Sequence, residues 1–124
     1  MSRVILSKYP SGEECVVVGW DHPAGGAFWQ EWASRQEIAL AERRLADDLE
    51  LDPEDERALE RVVDTGVKRE GGMFPGIALA NLALSMPEEL RPLITVKVLG
   101  LLADHAADPD SGYNAKVIDL SRAR

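Results

Sequence analysis

The chain has 124 residues, 45% hydrophobic and 29% charged, with one cysteine and a formal net charge of −8. This length predicts a single domain over residues 1–124 that buries a core without metal or disulfide, and the lone Cys15 excludes an internal disulfide. No apolar run approaches the roughly 18 residues of a membrane span, and MSRVILSKYPSGEE has no signal-peptide pattern, so the expected location is cytoplasmic, with no membrane partner.

Arg3 to Lys8 (RVILSK) is short and rich in β-branched residues, and predicts a strand. Tyr9-Pro10-Ser11-Gly12 is a turn signal. Glu14 to Asp21 (ECVVVGWD), with three consecutive valines, predicts the firmest strand and completes a hairpin with the first. Cys15 is then expected to be a buried strand residue. His22-Pro23-Ala24-Gly25-Gly26 forms a second turn. Residues Ala27 to Ala33 read either as a strand or as a helix with Phe28, Trp29 and Trp32 on one face. The strand is preferred because Ser34-Arg35-Gln36-Glu37 fits a capping box, which starts a helix just downstream.

That helix is expected from about Arg35 to Leu49, with Ile38, Ala41, Leu45 and Leu49 inward. Asp52-Pro53 predicts the next start, with Asp as N-cap and Pro at the first helical position. This second helix is expected to bury Leu59, Val62, Val63 and Val67 and to end at Glu70-Gly71-Gly72. Phe74-Pro75-Gly76 leads into IALANLALS, apolar except for Asn81, which predicts a central buried helix. Ser85-Met86-Pro87-Glu88 repeats the capping-box pattern. Glu88 to Ala107 reads as a helix interrupted at Pro92, with a strand as the alternative for Leu93 to Leu99. Asp108 to Gly112 is a stop, Tyr113 to Leu120 a last strand returning to the N-terminal sheet, and Ser121 to Arg124 a short basic tail. The predicted fold class is α+β: a small, mostly antiparallel sheet drawn from both termini and packed against three or four helices.

Two stretches concentrate unusual chemistry. Residues 47–56, DDLELDPEDE, hold seven acids and no base, and the rest of the chain is close to neutral. The run reads first as a solvated connection between two helices, and because helix starts need only one or two acids, the excess also points to a surface that attracts a basic partner. Without a basic stripe, direct nucleic-acid binding is not expected. The other stretch is GWDHPAGGAFWQEW, residues 20–33, which contains all three tryptophans. If residues 27–33 are a strand, Trp29 and Trp32 face opposite ways. One aromatic face then stays partly exposed unless helices cover both sides, and exposed aromatics favour contact sites. The other reading of the aromatics is core, which follows directly if the segment is a helix with them on one face.

Motifs for catalysis are thin. No glycine-rich phosphate loop is present, the acidic run has Pro53 and lacks the central Gly of a calcium loop, and Cys15 lies too far along a strand from His22 to be activated by it. No cofactor is implied. The Asp21-His22 and Asp104-His105 doublets carry metal-ligand side chains, but 83 residues separate them and they are not expected to converge. The leading expectation is a non-enzymatic accessory or inhibitor protein. It would dock through Trp29, Trp32, Asp47, Asp48, Glu50, Asp52, Glu54, Asp55 and Glu56 on a protein with a basic surface. Blocking a nucleic-acid-binding groove of that protein, in the manner of anti-restriction and anti-CRISPR proteins, is an analogy of size and charge alone. The alternatives are a metal-assisted hydrolase built on the two doublets, and a homodimer formed through IALANLALS or the tryptophan-bearing strand.

Overall fold

A computed structural model describes residues 2–47, 50–72, 74–108 and 116–121. The three N-terminal β-prone runs form an antiparallel meander, β1 (Ser2–Lys8), β2 (Glu14–Asp21) and β3 (Gly26–Trp32). Its two turns close on backbone bonds, Gly12 N–H to Tyr9 O at 2.8 Å and Gly25 N–H to His22 O at 3.0 Å. A further strand, β4 (Val67–Gly71), pairs antiparallel with β3, and β5 (Lys116–Asp119) runs parallel to β1. The sheet order is β4-β3-β2-β1-β5. This is an α+β fold whose mostly antiparallel sheet draws on both ends of the chain. The expected start of the last strand, Tyr113 to Ala115, lies outside the described residues.

Strand alternation sets the core. Val4, Leu6, Val16, Val18, Ala27 and Trp29 share one face of the sheet and pack with Leu82, Met86, Leu90, Val98 and Leu102. Those partners come from α3 (Leu82–Ser85) with Met86 just after it, a 3-10 stretch (Glu88–Leu93) and α4 (Val96–Ala107). Ile5, Val17 and Phe28, of opposite parity, are buried as well. Gly19 lies directly across from Phe28. A Cβ there would come within 2.5 Å of the Phe28 ring, so the missing side chain makes room for the aromatic.

The two remaining helices are α1 (Arg35–Asp47) and α2 (Pro53–Thr65). The capping box forms as predicted: Glu37 N–H donates to Ser34 Oγ and Ser34 N–H to Glu37 Oε1, both at 3.1 Å. Pro53 stands at the first turn of α2, but the Asp52 side chain makes no capping bond.

The middle of the chain departs from expectation. The second helix does not run on to Glu70. Gly66 adopts φ 76°, donates its N–H to Val62 O and ends the helix, so Val67 to Gly71 is free to join the sheet. IALANLALS is not one buried helix. Ile77 bridges to Ala27, Leu79–Asn81 is a 3-10 turn, and α3 holds four residues, with Leu82 fully buried and Leu84 exposed. Ser85 does not cap the segment after it, because its hydroxyl donates back to Leu82 O. The long fourth helix is broken after Leu93 and restarts at Thr95, whose hydroxyl accepts from Val98 N–H. The described helices include none long and apolar enough to cross a membrane.

Candidate functional site

β3 and β4 are adjacent, and Trp32 at the end of one pairs with Val67 at the start of the other. Everything between them, α1 and α2 included, therefore leaves the sheet and returns to it at a single point. Ala33 N–H to Gly66 O at 2.7 Å closes that point. The two helices pack chiefly on each other, and α2 also on β4. The result is a helical hairpin inserted into a strand-to-strand connection.

Glu37 fixes its base. The carboxylate belongs to the capping box, pairs with Lys68 Nζ of β4 at 2.7 Å, and lies 2.9 Å from the Tyr9 hydroxyl. The same hydroxyl lies 2.6 Å from Trp32 O, so the β1–β2 turn, β3, α1 and β4 meet here. Burial by itself disfavours the Glu37 charge. The bonds from Lys68, the Ser34 N–H and Tyr9 outweigh it and hold the carboxyl at about 2. Burial, then the neighbouring Cys15 side chain and the Glu37 carboxylate, push the Tyr9 phenol up, and the bond to Glu37 raises Lys68. Arg61 adds a second brace, reaching Glu70 of β4 at 2.5 Å.

Beyond this base the hairpin buries little. Ala41 is the one buried residue of α1, and α2 has none among the described residues. Ile38, Leu45, Leu59, Val62 and Val63, expected to be inward, are half-buried, and Leu49 lies outside the described residues. Leu40 is 55% exposed. It borders an open cavity of about 320 Å³ between α1, α2 and β4, floored by Leu40, Ala41, Leu59 and Val62 and flanked by Glu37, Arg44 and Lys68. At the far end lie the acids. Asp47, Glu50, Asp52, Glu54, Asp55 and Glu56 are all exposed, and Asp48 lies outside the described residues. Asp47, Asp52, Glu54, Asp55 and Glu56 make no ion pair with a described residue.

The tryptophans do not join them. Trp29 was expected as an exposed anchor, but it is 5% exposed and packed in the core on the side covered by α3 and α4. Gly71 across from it makes this fit possible: a Cβ there would come within 2.5 Å of the indole nitrogen. Trp32 is half-buried at the base of the hairpin, with Arg3 Cζ 6.0 Å from its ring centroid. It lines an open cavity of about 440 Å³ with Arg3, Glu14, Arg35 and Ile38. The 13 residues of α1 separate it from the acids by roughly 18 Å at 1.5 Å per residue. A continuous aromatic-acidic interface does not form. The indole nitrogens of Trp20, Trp29 and Trp32 are all buried and have no partner among the described residues.

The two Asp-His doublets touch at one point, but their four side chains form no common group among the described residues. The β2–β3 turn sets the His22 ring against the end of α4, with Nε2 3.1 Å from His105 O. The contact joins a ring to a backbone carbonyl, and His105 itself is buried. Among the described residues, no group of three or more His, Cys, Asp or Glu side chains is placed to share a metal ion. Cys15 is half-buried on β2 and packs at the core's margin.

Sequence reasoning missed Leu40 and the contribution of β4. Leu40 was legible as an apolar residue off the Ile38–Ala41–Leu45 stripe. The cavity it borders was not, because Lys68 had been assigned to a helix. Comparison with family models, curated proteins and solved structures found no match for this chain.

Proposed function

We propose that the chain is a cytoplasmic protein-binding module that docks through the α1–α2 hairpin onto a partner with a basic surface. The observation that carries this reading is the insertion itself. A helical hairpin leaves and rejoins the sheet at one residue pair, buries almost nothing of its own, and carries a run of exposed acids at its tip. Charges at a projecting tip attract over a Debye length and set association rate and partner choice. The Asp52 carboxylate is not used as a helix cap, so it adds to this field. Glu54, Asp55 and Glu56 also favour the N-terminus of α2. That role accounts for part of the run and leaves Asp47 and Asp52 unexplained. Steric blocking of the partner's own basic groove is the action that fits a small acidic binder.

The test is affinity capture at about 50 mM and about 300 mM salt, a range over which surface attraction is strongly screened. A control chain carries Asp47→Asn, Asp52→Asn, Glu54→Gln, Asp55→Asn and Glu56→Gln. The reading expects a basic protein that is captured at low salt, lost at high salt and lost with the control. It must then bind again as a purified component. Capture indifferent to salt and to the five substitutions would discard the acidic tip as the docking element.

A further inference from the structure

We propose that the groove between α1, α2 and β4 receives one amphipathic helix of the partner, laid with its basic end at the acidic tip. The inference rests on the docking reading above and adds to it the shape and polarity of the ligand. Two helices of 13 residues each leave an apolar seam, with buried Ala41 and half-buried Leu59 and Val62 as its floor and exposed Leu40 at its edge. The groove between two packed helices is filled by side chains repeating at i, i+3, i+4 and i+7, so a third helix completes the bundle. Helices of this length run roughly 18 Å, room for about three turns of ligand.

A strand is the poorer occupant. The neighbouring edge, β4, reads Val67-Lys68-Arg69-Glu70-Gly71, and a run of charged residues guards a sheet edge against strand addition.

Charge decides between a foreign helix and a second copy of this chain. The tip carries six exposed acids among the described residues, against Arg57 beside them on α2 and Arg43 and Arg44 one turn back on α1, with Arg44 lining the groove. A second copy would bring its own acidic tip against this one, or against Lys68, which is already paired with Glu37. A helix with Lys or Arg at one end and an apolar stripe along one face satisfies both the tip and the seam. Leu40 is the residue it would cover most, being 55% exposed in the free chain.

The probe is a fluorescein-labelled synthetic peptide of about four turns, with a leucine stripe and lysines clustered at one end. A control has the same residues reordered so that the leucines form no stripe. Fluorescence anisotropy follows both against the full chain, Leu40→Asp, and the triple variant Glu54→Gln, Asp55→Asn, Glu56→Gln. These positions are exposed, and circular dichroism checks that each variant folds. The striped peptide should bind about tenfold or more tightly than the reordered one. Leu40→Asp should abolish that preference, since an anchor in a buried seam dominates affinity. The triple variant should weaken binding several-fold and flatten its salt dependence. Equal binding of the two peptides, weakened by the triple variant and indifferent to Leu40→Asp, would overturn the helix groove and leave acidic docking standing. Binding indifferent to both variants would overturn both. No peptide binding, or a Leu40-dependent dimer in sedimentation, would also overturn the foreign helix.

Discussion

Replacing Glu37 by Gln should loosen the base of the hairpin in a way that depends on pH. Gln keeps the capping box, because its side-chain oxygen still accepts from Ser34 N–H. What it removes is the charge that pairs with Lys68. The Glu37 carboxyl sits at about 2 in the folded chain against an ordinary value of 4.5. Taken at face value, that difference is about 3 kcal/mol. The side chain is 37% exposed, so solvent screening reduces the expectation to about 1–2 kcal/mol. The folded value is depressed, so this stabilisation is fully present above about pH 5 and is lost as pH falls toward 2. By pH 3 about 40% of it should remain. Urea denaturation of both proteins at pH 7, 5 and 3 measures it. Glu37→Gln should be less stable by about 1–2 kcal/mol at pH 7 and 5, with the gap clearly narrower at pH 3. A gap of the same size at all three pH values would show that the loss comes from packing or capping, and the charge pinning of the hairpin would be refuted.

Arg69 should matter more than its exposure suggests. It donates to buried Glu31 at 2.8 Å and also reaches Glu89. Arg69→Ala should cost about 3 kcal/mol or more by leaving Glu31 buried and uncompensated, and adding Glu31→Gln should recover much of the loss in a double-mutant cycle. Gly71→Ala should destabilise by about 1–3 kcal/mol through overpacking and shift tryptophan emission, because the new methyl meets the Trp29 indole. Leu102→Ala, at a fully buried position of α4, should cost about 3 kcal/mol in thermal or urea unfolding; a loss under about 1 kcal/mol would contradict the core as described.

What was legible in the sequence was local. β2 has the predicted bounds, and β1 and β3 each start one residue earlier than read. Alternation, valine runs and turn residues act between near neighbours. The Ser34–Glu37 box likewise fixed the start of α1 at Arg35. β4 was not legible, because Val67 continues the four-residue spacing from Val63 and only the αL conformation of Gly66 breaks it. A glycine inside a helical pattern was the available signal. IALANLALS misled by composition. Its Leu and Ala suit a helix, yet the chain spends Ile77 on a bridge to β3 and Leu82 on the core. Of the candidate site, the acids were legible as a charge run and their projection was not. The place of Trp29 depended on which elements cover each face of the sheet, a tertiary property that strand parity alone does not contain.

Hydrogen exchange on the chain, free and with its purified captured partner, tests the docking surface most directly. The account predicts added protection concentrated in residues 35–65, strongest in the peptides that contain Leu40 and Leu59. Protection confined to residues 74–96, with the hairpin unchanged, would contradict it.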